Sequence, residues 1–467
     1  MMLSLIDPIN NLLWGEGQVL IYLLVAAGIW FTVRLRFVQL RHFLHMFSVM
    51  KNSTRDDASG ISSFEALCTG LSARVGTGNL AGVAVAISLG GPGAVFWMWV
   101  IALLGMATGF AESVLGQLYK IRDSKQEFRG GPAYYIQMGL NKRWLSITFA
   151  VCLFLGYGFS FSAMQANTIT DALNYSYGIP RLWAGLVIAV VAGFIVTGGL
   201  RRVAHFAEIV VPFMGVGYIL VALSITVMNI SLLPDVLYGI FSSAFGLQEA
   251  GAGALGAAIK NGVQRGLYSN EAGAGSVPHA AAGASPYPNH PVTQGFVQML
   301  GVFFDTLVLC TCTAVMVLLA GGSYSGEMEG IRMIQDAMTV HMGGAGTHFV
   351  SLAITLFAFS SVVANYAYAE SNLHLFKLDN RKGRIGYTAL YLGMVVWGSN
   401  ASLKQVWALA DMSLGLMTVV NIIAITLLTP TIIALSNHYF SKKRAGVLPE
   451  YRAGEIPIQG KSETGIW

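Results

Sequence analysis

The stretch Ser72-Ala-Arg-Val-Gly-Thr-Gly-Asn-Leu-Ala-Gly-Val-Ala84 constrains the chain most, because it interrupts an apolar segment, residues 61–89, that is long enough to cross a bilayer. It sets a charge (Arg74), an amide (Asn79) and three glycines (Gly76, Gly78, Gly82) where lipid-facing helices avoid all three. A peptide group without a partner in hydrocarbon costs several kcal/mol, so unwound backbone survives at membrane depth only inside protein or beside a water-filled cavity. The N–H and C=O groups that such a break frees are then available to a ligand. The competing reading is a Gly-rich helix-packing surface.

A second stretch, Ser269-Asn-Glu-Ala-Gly-Ala-Gly-Ser276, repeats the pattern Ser-x-x-x-Gly-x-Gly-[Asn/Ser] in the same register. Paired glycine-interrupted apolar segments in the two halves of a membrane chain point to a transporter binding site near the bilayer midplane. Composition agrees, since 54% of the residues are apolar, 11% are charged and the mean hydropathy is +0.60, which excludes an ordinary soluble domain. With no long hydrophilic block in 467 residues, a single transmembrane domain over 1–467 is expected. The first residues lack a basic leader and a small-residue cleavage site, so no cleavable signal peptide is read. Cys68, Cys152, Cys310 and Cys312 fall in apolar runs and suit small core residues rather than a disulfide or zinc framework. No phosphate-binding loop, His-x-x-x-His spacing or Ser/His/Asp set is present, so neither an enzyme nor an ATP-driven pump is supported.

At about 20 apolar residues per span, the chain is expected to form an all-α polytopic bundle of about eleven transmembrane helices. They fall at 18–33, 61–89, 94–118, 145–168, 182–197, 206–227, 251–284, 295–320, 349–369, 385–397 and 406–435, and 331–341 reads as a short interfacial helix. The loops of one side carry 22 of the 28 Lys and Arg and those of the other carry three, which predicts the N-terminus outside and the C-terminus in the cytoplasm. The net charge of +5 is thus explained by topology, and no nucleic-acid partner is expected. After a first helix and linker (18–60), the remaining ten helices divide into repeats at 61–228 and 247–436, followed by a tail at 437–467. A broken helix opens each set of five, and an odd number of spans per half makes the repeats inverted.

Ala-Arg-Val-Gly-Thr-Gly-Asn-Leu-Ala-Gly-Val-Ala, Gly-Gly-Pro-Gly-Ala-Val-Phe-Trp-Met-Trp (90–99), Phe-Arg-Gly-Gly-Pro-Ala (128–133), Ser-Asn-Glu-Ala-Gly-Ala-Gly-Ser (269–276) and Phe-Ala-Phe-Ser-Ser-Val-Val-Ala-Asn-Tyr (357–366) together resemble the alanine or glycine:cation symporter family. The resemblance runs from about residue 8 to the basic tail. It implies a leucine-transporter (LeuT-type) fold with one extra N-terminal helix, sodium-coupled uptake of small neutral amino acids by alternating access, a bacterial or archaeal plasma membrane, and no organic cofactor.

A small amino acid needs N–H groups for its carboxylate, carbonyls for its ammonium and close walls, and half-helix ends supply the first two. The resemblance puts the carboxylate on the backbone of Thr77 and Gly78; Asn79 stays open between a cation ligand, a carboxylate ligand and a helix cap. The second break, 271–276, would offer carbonyls to the ammonium and the surface of Gly273, Gly275 and Ser276 to the methyl group. Gln165, and less so Asn167, are candidate polar contacts beside the pocket. The same fold implies a sodium ion held by the carbonyls of Ser72, Val75 and Phe357 and the hydroxyls of Ser360 and Ser361. An intramembrane charge is a functional candidate that should have a partner. Glu271 therefore has three readings: an ion pair with Arg74, or with Lys260 or Arg265; a cap; or a proton-linked carboxylate. Glu112, Asp305 and Asp411 read as paired structural charges, and His205, His279 and His290 as residues near the inner surface without metal-ligand spacing. Proton coupling and, less favoured, a channel are the alternatives.

Overall fold

The computed structural model describes residues 2–54, 60–123, 126–246, 252–322 and 330–467. The expected stretches 247–251, at the start of the second repeat, and 323–329 lie outside the described residues. Helices make up the fold, with one short antiparallel hairpin, Ile121–Arg122 against Phe128–Arg129. Among the described residues six helical stretches are long and apolar enough to cross a membrane: Gly93–Leu118, Arg143–Tyr177, Gly199–Met228, Pro291–Leu319, Gly344–Phe376 and Leu403–Leu427. Val19–Arg34, Ala81–Gly90 and Arg181–Val196 are shorter apolar helices.

Both interruptions expected from sequence are present. The first divides Ser63–Arg74 from Ala81–Gly90, and the second divides Ala252–Asn270 from Pro278–Gly283. Ser63–Arg74 starts at a capping box, in which the Ser62 hydroxyl accepts from the Glu65 N–H and the Glu65 carboxylate accepts from the Ser62 N–H. The two broken helices meet at one end of the bundle. There the Ile61 N–H donates to the Gly283 carbonyl at 2.9 Å and the Ser285 N–H donates to the Ile61 carbonyl at 2.9 Å. Two of the long stretches contain π-helical turns, Gly156–Ser160 and Phe303–Cys310, a geometry that concentrates at functional sites.

Some boundaries differ from the hydropathy reading. The expected span at 406–435 is two helices, Leu403–Leu427 and Thr429–Arg444, separated at Leu428. Pro430 explains the division, because proline has no N–H to continue a helix but suits the first turn of a new one. A helix also precedes the first expected span: Met2–Leu13 lies on Leu403–Leu427, with the Asn10 amide donating to the Ala408 carbonyl (2.8 Å) and the Trp14 indole to the Asp411 carbonyl (3.1 Å). The connection after Met228 contains Leu233–Ala244, and Ile331–Met342 is helical as expected.

The end of the bundle that carries the hairpin is fastened by ion pairs. Buried Arg129 reaches Asp123 (3.0 Å), Glu370 (2.7 Å) and Glu127 (3.5 Å), and Glu370 also meets Arg384 at 3.1 Å. One guanidinium thus joins the hairpin to the end of Gly344–Glu370, and Glu370 carries the connection to the start of Arg381–Asn400. Removing one member of a buried charge network is far costlier than the network's net worth. Arg129→Ala is expected to destabilise the fold by about 3–5 kcal/mol, and Arg129→Lys, which keeps the charge but loses the planar fork, by less. Thermal melts of the purified variants check the order, and equal melting of wild type and Arg129→Ala would show that the network holds nothing.

Candidate functional site

At the first break the backbone leaves the helix at Val75, with ψ near 90°, and restarts at Ala81. The Thr77 N–H and hydroxyl both donate to Gln165 Oε1, at 2.9 and 2.8 Å. Glycine is required here by close approach. A methyl group at Gly76 would lie 2.5 Å from the Ser361 hydroxyl and 2.6 Å from Gln165 Oε1, and one at Gly78 would lie 2.8 Å from the Tyr268 carbonyl. Gln165 is therefore part of the break. Asn167 is not: its amide donates to the carbonyls of Gly398 and Ala401, both at 2.8 Å. Two positions along a helix turn the side chain by about 200°, so the two amides face opposite ways.

Five oxygens gather between the first broken helix and Gly344–Glu370. Ser361 Oγ lies 2.8 Å from the Ser72 carbonyl, 3.2 Å from that of Phe357 and 3.4 Å from that of Val75. Ser360 Oγ lies 2.8 Å from the Phe357 carbonyl and 3.5 Å from that of Ser72. All five residues are buried. The carbonyls of Ser72 and Val75 belong to the last turn of Ser63–Arg74, where helix carbonyls lose their partners and the dipole favours a cation. Three carbonyls and two hydroxyls make a donor set suited to a small hard cation.

A second polar cluster faces the other side of this break. Asn79 donates to Asp305, to the carboxylate at 2.6 Å and the carbonyl at 3.2 Å, while Asn79 Oδ1 is buried with no hydrogen-bond partner. The Asp305 carboxylate also accepts from Ser269 (2.6 Å) and Thr306 (3.2 Å). Asp305 sits in the π-helical turn, whose i→i+5 bonding adds a residue to the turn that faces the break.

The second break is saturated from within. Glu271, Gly273 and Gly275 have φ of 55°, 91° and 85°, which turns successive N–H groups to one side. The Gly273 and Gly275 N–H groups donate to Glu112, at 3.1 and 3.2 Å. Asn421 donates both to Glu112 (2.8 Å) and to the Gly273 carbonyl (2.9 Å), and its own oxygen accepts from the Tyr135 hydroxyl. Ser276 donates to Glu271 at 2.6 Å. A methyl group at Gly275 would meet Pro132, Asn421 and Phe149 within 2.9 Å, and one at Gly273 would meet Thr108 at 3.2 Å, so both glycines are wedged against packed protein.

The pairing expected between Arg74 and Glu271 is not made. Arg74 donates to the Gln298 side chain at 3.0 Å, and among the described residues it forms no ion pair. The reason is direction: at the end of its half-helix Arg74 reaches toward Pro291–Val302, with its guanidinium beside Gly301. Arg265 instead pairs with Asp411 at 3.4 Å, its guanidinium over the rings of Trp407 and Tyr268. Glu112 and Asp305, by contrast, accept from neutral donors and among the described residues form no ion pair. Their roles were missed in the sequence, although each is an intramembrane carboxylate and so a functional candidate by default. His279 is buried between Ser276 and Asn372 rather than lying at the surface. Glu65, His205 and Glu208 bring three ligand atoms within 4.8 Å of one another, a grouping that sequence spacing does not display because Glu65 comes from another helix.

This arrangement can hold a cation at the end of one half-helix and an anion at freed N–H groups beside it. The comparisons with known proteins agree in kind. The model of the sodium:alanine symporter family matches residues 1–453. The uncharacterised transporter YaaJ of Escherichia coli is 48% identical over 458 residues, covering 97% of this chain and 96% of that protein. The amino-acid carrier protein AlsT of Bacillus subtilis is 43% identical over 461 residues, covering 99% and 97%. Among solved structures, MhsT in complex with L-phenylalanine has a TM-score of 0.57 at 15% identity, covering 81% of this chain and 98% of that one, a likeness of fold. By its sequence from end to end and by the fold of its broken helices, the chain belongs to the sodium:alanine symporter family.

Proposed function

We propose that this protein couples sodium entry to the uptake of a small neutral amino acid, alanine or glycine, across a bacterial or archaeal plasma membrane. The observation that carries the reading is the five-oxygen cluster of Ser72, Val75, Phe357, Ser360 and Ser361, which takes the cation as cargo. The asymmetry of basic loops supports an outside N-terminus and a cytoplasmic tail. The order of helices, a broken helix followed by four others in each half, supports the inverted five-plus-five repeat.

The substrate carboxylate belongs at the first break. Glu112 already occupies the N–H groups of Gly273 and Gly275, whereas the Thr77 N–H and hydroxyl are held by one neutral oxygen, that of Gln165, which a carboxylate can replace. Gly76 adjoins both the Ser361 hydroxyl and Gln165, so cation and substrate share a wall one residue thick. That contact supplies a physical route for coupling. Gly78 against the Tyr268 carbonyl, with the Trp407 ring tilted against that of Tyr268, bounds the size of the side chain, a role that passes from Gly275 because that glycine faces Pro132 and Phe149. The ammonium then faces the carbonyls of the second break.

The reaction is tested by uptake of labelled alanine and glycine into proteoliposomes under an imposed sodium gradient or an imposed pH gradient. Uptake driven by sodium alone is expected, and uptake driven equally by a pH gradient without sodium would overturn the coupling. Ser361→Ala removes the hydroxyl shared by three carbonyls and is expected to raise the half-saturating sodium concentration at least about tenfold, about 1.4 kcal/mol, with Ser360→Ala smaller. An unchanged sodium dependence in the double variant would remove the cation from this helix. Glu112→Gln turns an acceptor of two N–H groups into a poorer one, at about 1.5–3 kcal/mol per charged hydrogen bond. Lower thermal stability and slower uptake of alanine and glycine alike are expected, at an unchanged sodium half-saturation; a selective loss of one amino acid would place Glu112 in the side-chain pocket instead.

A further inference from the structure

A cavity of about 680 Å³ lies between the end of Val19–Arg34 and the end of Thr429–Arg444, and the transport site makes no use of it. Arg34, Arg36, Arg41, Lys443 and Arg444 line it, and no Asp or Glu does. Among the described residues none of these five cations forms an ion pair. Their contacts are with neutral groups: Arg41 reaches the Arg36 carbonyl (3.5 Å), Arg444 the Phe440 carbonyl (3.3 Å), Lys443 the His45 ring (2.7 Å), and Arg34 lies 5.1 Å from the centre of the Trp30 ring. The local field is positive enough to act on its neighbours. Burial, with the charge of Lys443 and then His42, holds the His45 imidazole down to about 4.

Five like charges gathered around one cavity repel one another, so the arrangement favours an anion. The rest of the lining says which kind. Val33, Leu35, Ile433 and Phe440 share the same walls, together with Ser436 and Asn437. Val33 is 55% exposed, and just beyond it along the chain Phe37, Leu40 and Leu44 are 48%, 62% and 77% exposed, an apolar surface that follows the end of an apolar helix. A soluble anion has no use for that surface. An amphiphile whose phosphate sits among arginines and whose chains run along aliphatic side chains uses both, as basic pockets at the ends of membrane helices do.

We propose that this cavity binds the headgroup of an anionic phospholipid, with its phosphate among Arg34, Arg36, Arg41, Lys443 and Arg444 and its acyl chains beginning along Val33 and Ile433. The lipid joins the helix that precedes the broken-helix bundle to the helix that follows it. It neutralises a cationic cluster that has no ion-pair partner among the described residues.

The test uses the purified full-length protein in a neutral detergent, with phosphatidylglycerol, phosphatidylcholine or inorganic phosphate added at equal concentration, read by thermal melting and by native mass spectrometry. Phosphatidylglycerol is expected to stay bound and to raise the melting temperature by several degrees, while phosphatidylcholine and phosphate do neither. The triple variant Arg36→Gln/Arg41→Gln/Lys443→Gln should lose at least fivefold in retained phosphatidylglycerol. Equal retention by this variant would overturn the site, and an equal shift with phosphate would overturn the lipid in favour of a soluble anion. The wild type gives an independent check should the variant not fold. Raising potassium chloride tenfold at fixed sodium must weaken phosphatidylglycerol retention, because partly exposed charges are screened within a few ångströms at high salt; retention unaffected by salt would exclude the basic cluster as its seat.

Discussion

An unpaired peptide group cannot remain in hydrocarbon, and the centre of this protein is arranged around that constraint. Each break must find partners for the backbone it frees, and the two do so differently. The second break is closed by a charged side chain of the protein itself, Glu112, with Asn421 bridging the same carboxylate and the Gly273 carbonyl. The first is held by a neutral, exchangeable oxygen, that of Gln165. A break sealed with a carboxylate is a structural joint, whereas one held by an amide can release its N–H groups to a stronger acceptor. Under the proposed function this difference orients the substrate, because of the two breaks it is the first whose N–H groups are held by a neutral acceptor.

Coupling follows from proximity rather than from a long relay. The carbonyls of Ser72 and Val75 end one half-helix, Thr77 lies two residues beyond Val75, and Gly76 between Val75 and Thr77 has no room for a methyl group against Ser361 and Gln165. A cation on the carbonyls and an anion on the N–H groups therefore stabilise the same short piece of unwound chain. Each makes the geometry required by the other easier to hold.

The core is closed toward both ends. On one side Arg265, paired with Asp411, lies over Trp407 and Tyr268. On the other, Ile61 hydrogen-bonds across to Gly283 and Ser285, and Arg129 fastens the nearby hairpin to Glu370. These closures are of unlike kinds. Opening at Arg265 must separate one ion pair, that with Asp411, whereas opening the Arg129 network must separate several buried ones, so the two ends differ in what opening costs.

Much of this was legible in the residues. Glycines, an amide and a charge inside two apolar segments in the same register favour interrupted helices over a glycine-rich packing surface, since charged and amide groups are costly in an unbroken lipid-facing helix. The serine pair one helix away was recognisable through family resemblance, and Ser360 and Ser361 do meet the three expected carbonyls. What tertiary structure alone decided was partnership. Arg74 and Glu271 are both charged and both at a break, yet Arg74 points at Gln298 on a facing helix while Glu271 takes Ser276 within its own break, because the packing of the helices turns the two side chains different ways. Glu112, Asn421 and Tyr135 come from segments far apart in the chain, and nothing local marks them as one unit. Pattern along the chain reports which groups must be satisfied in a medium without water; only packing in three dimensions settles which neighbour satisfies them, because that depends on distances between helices that no single segment encodes.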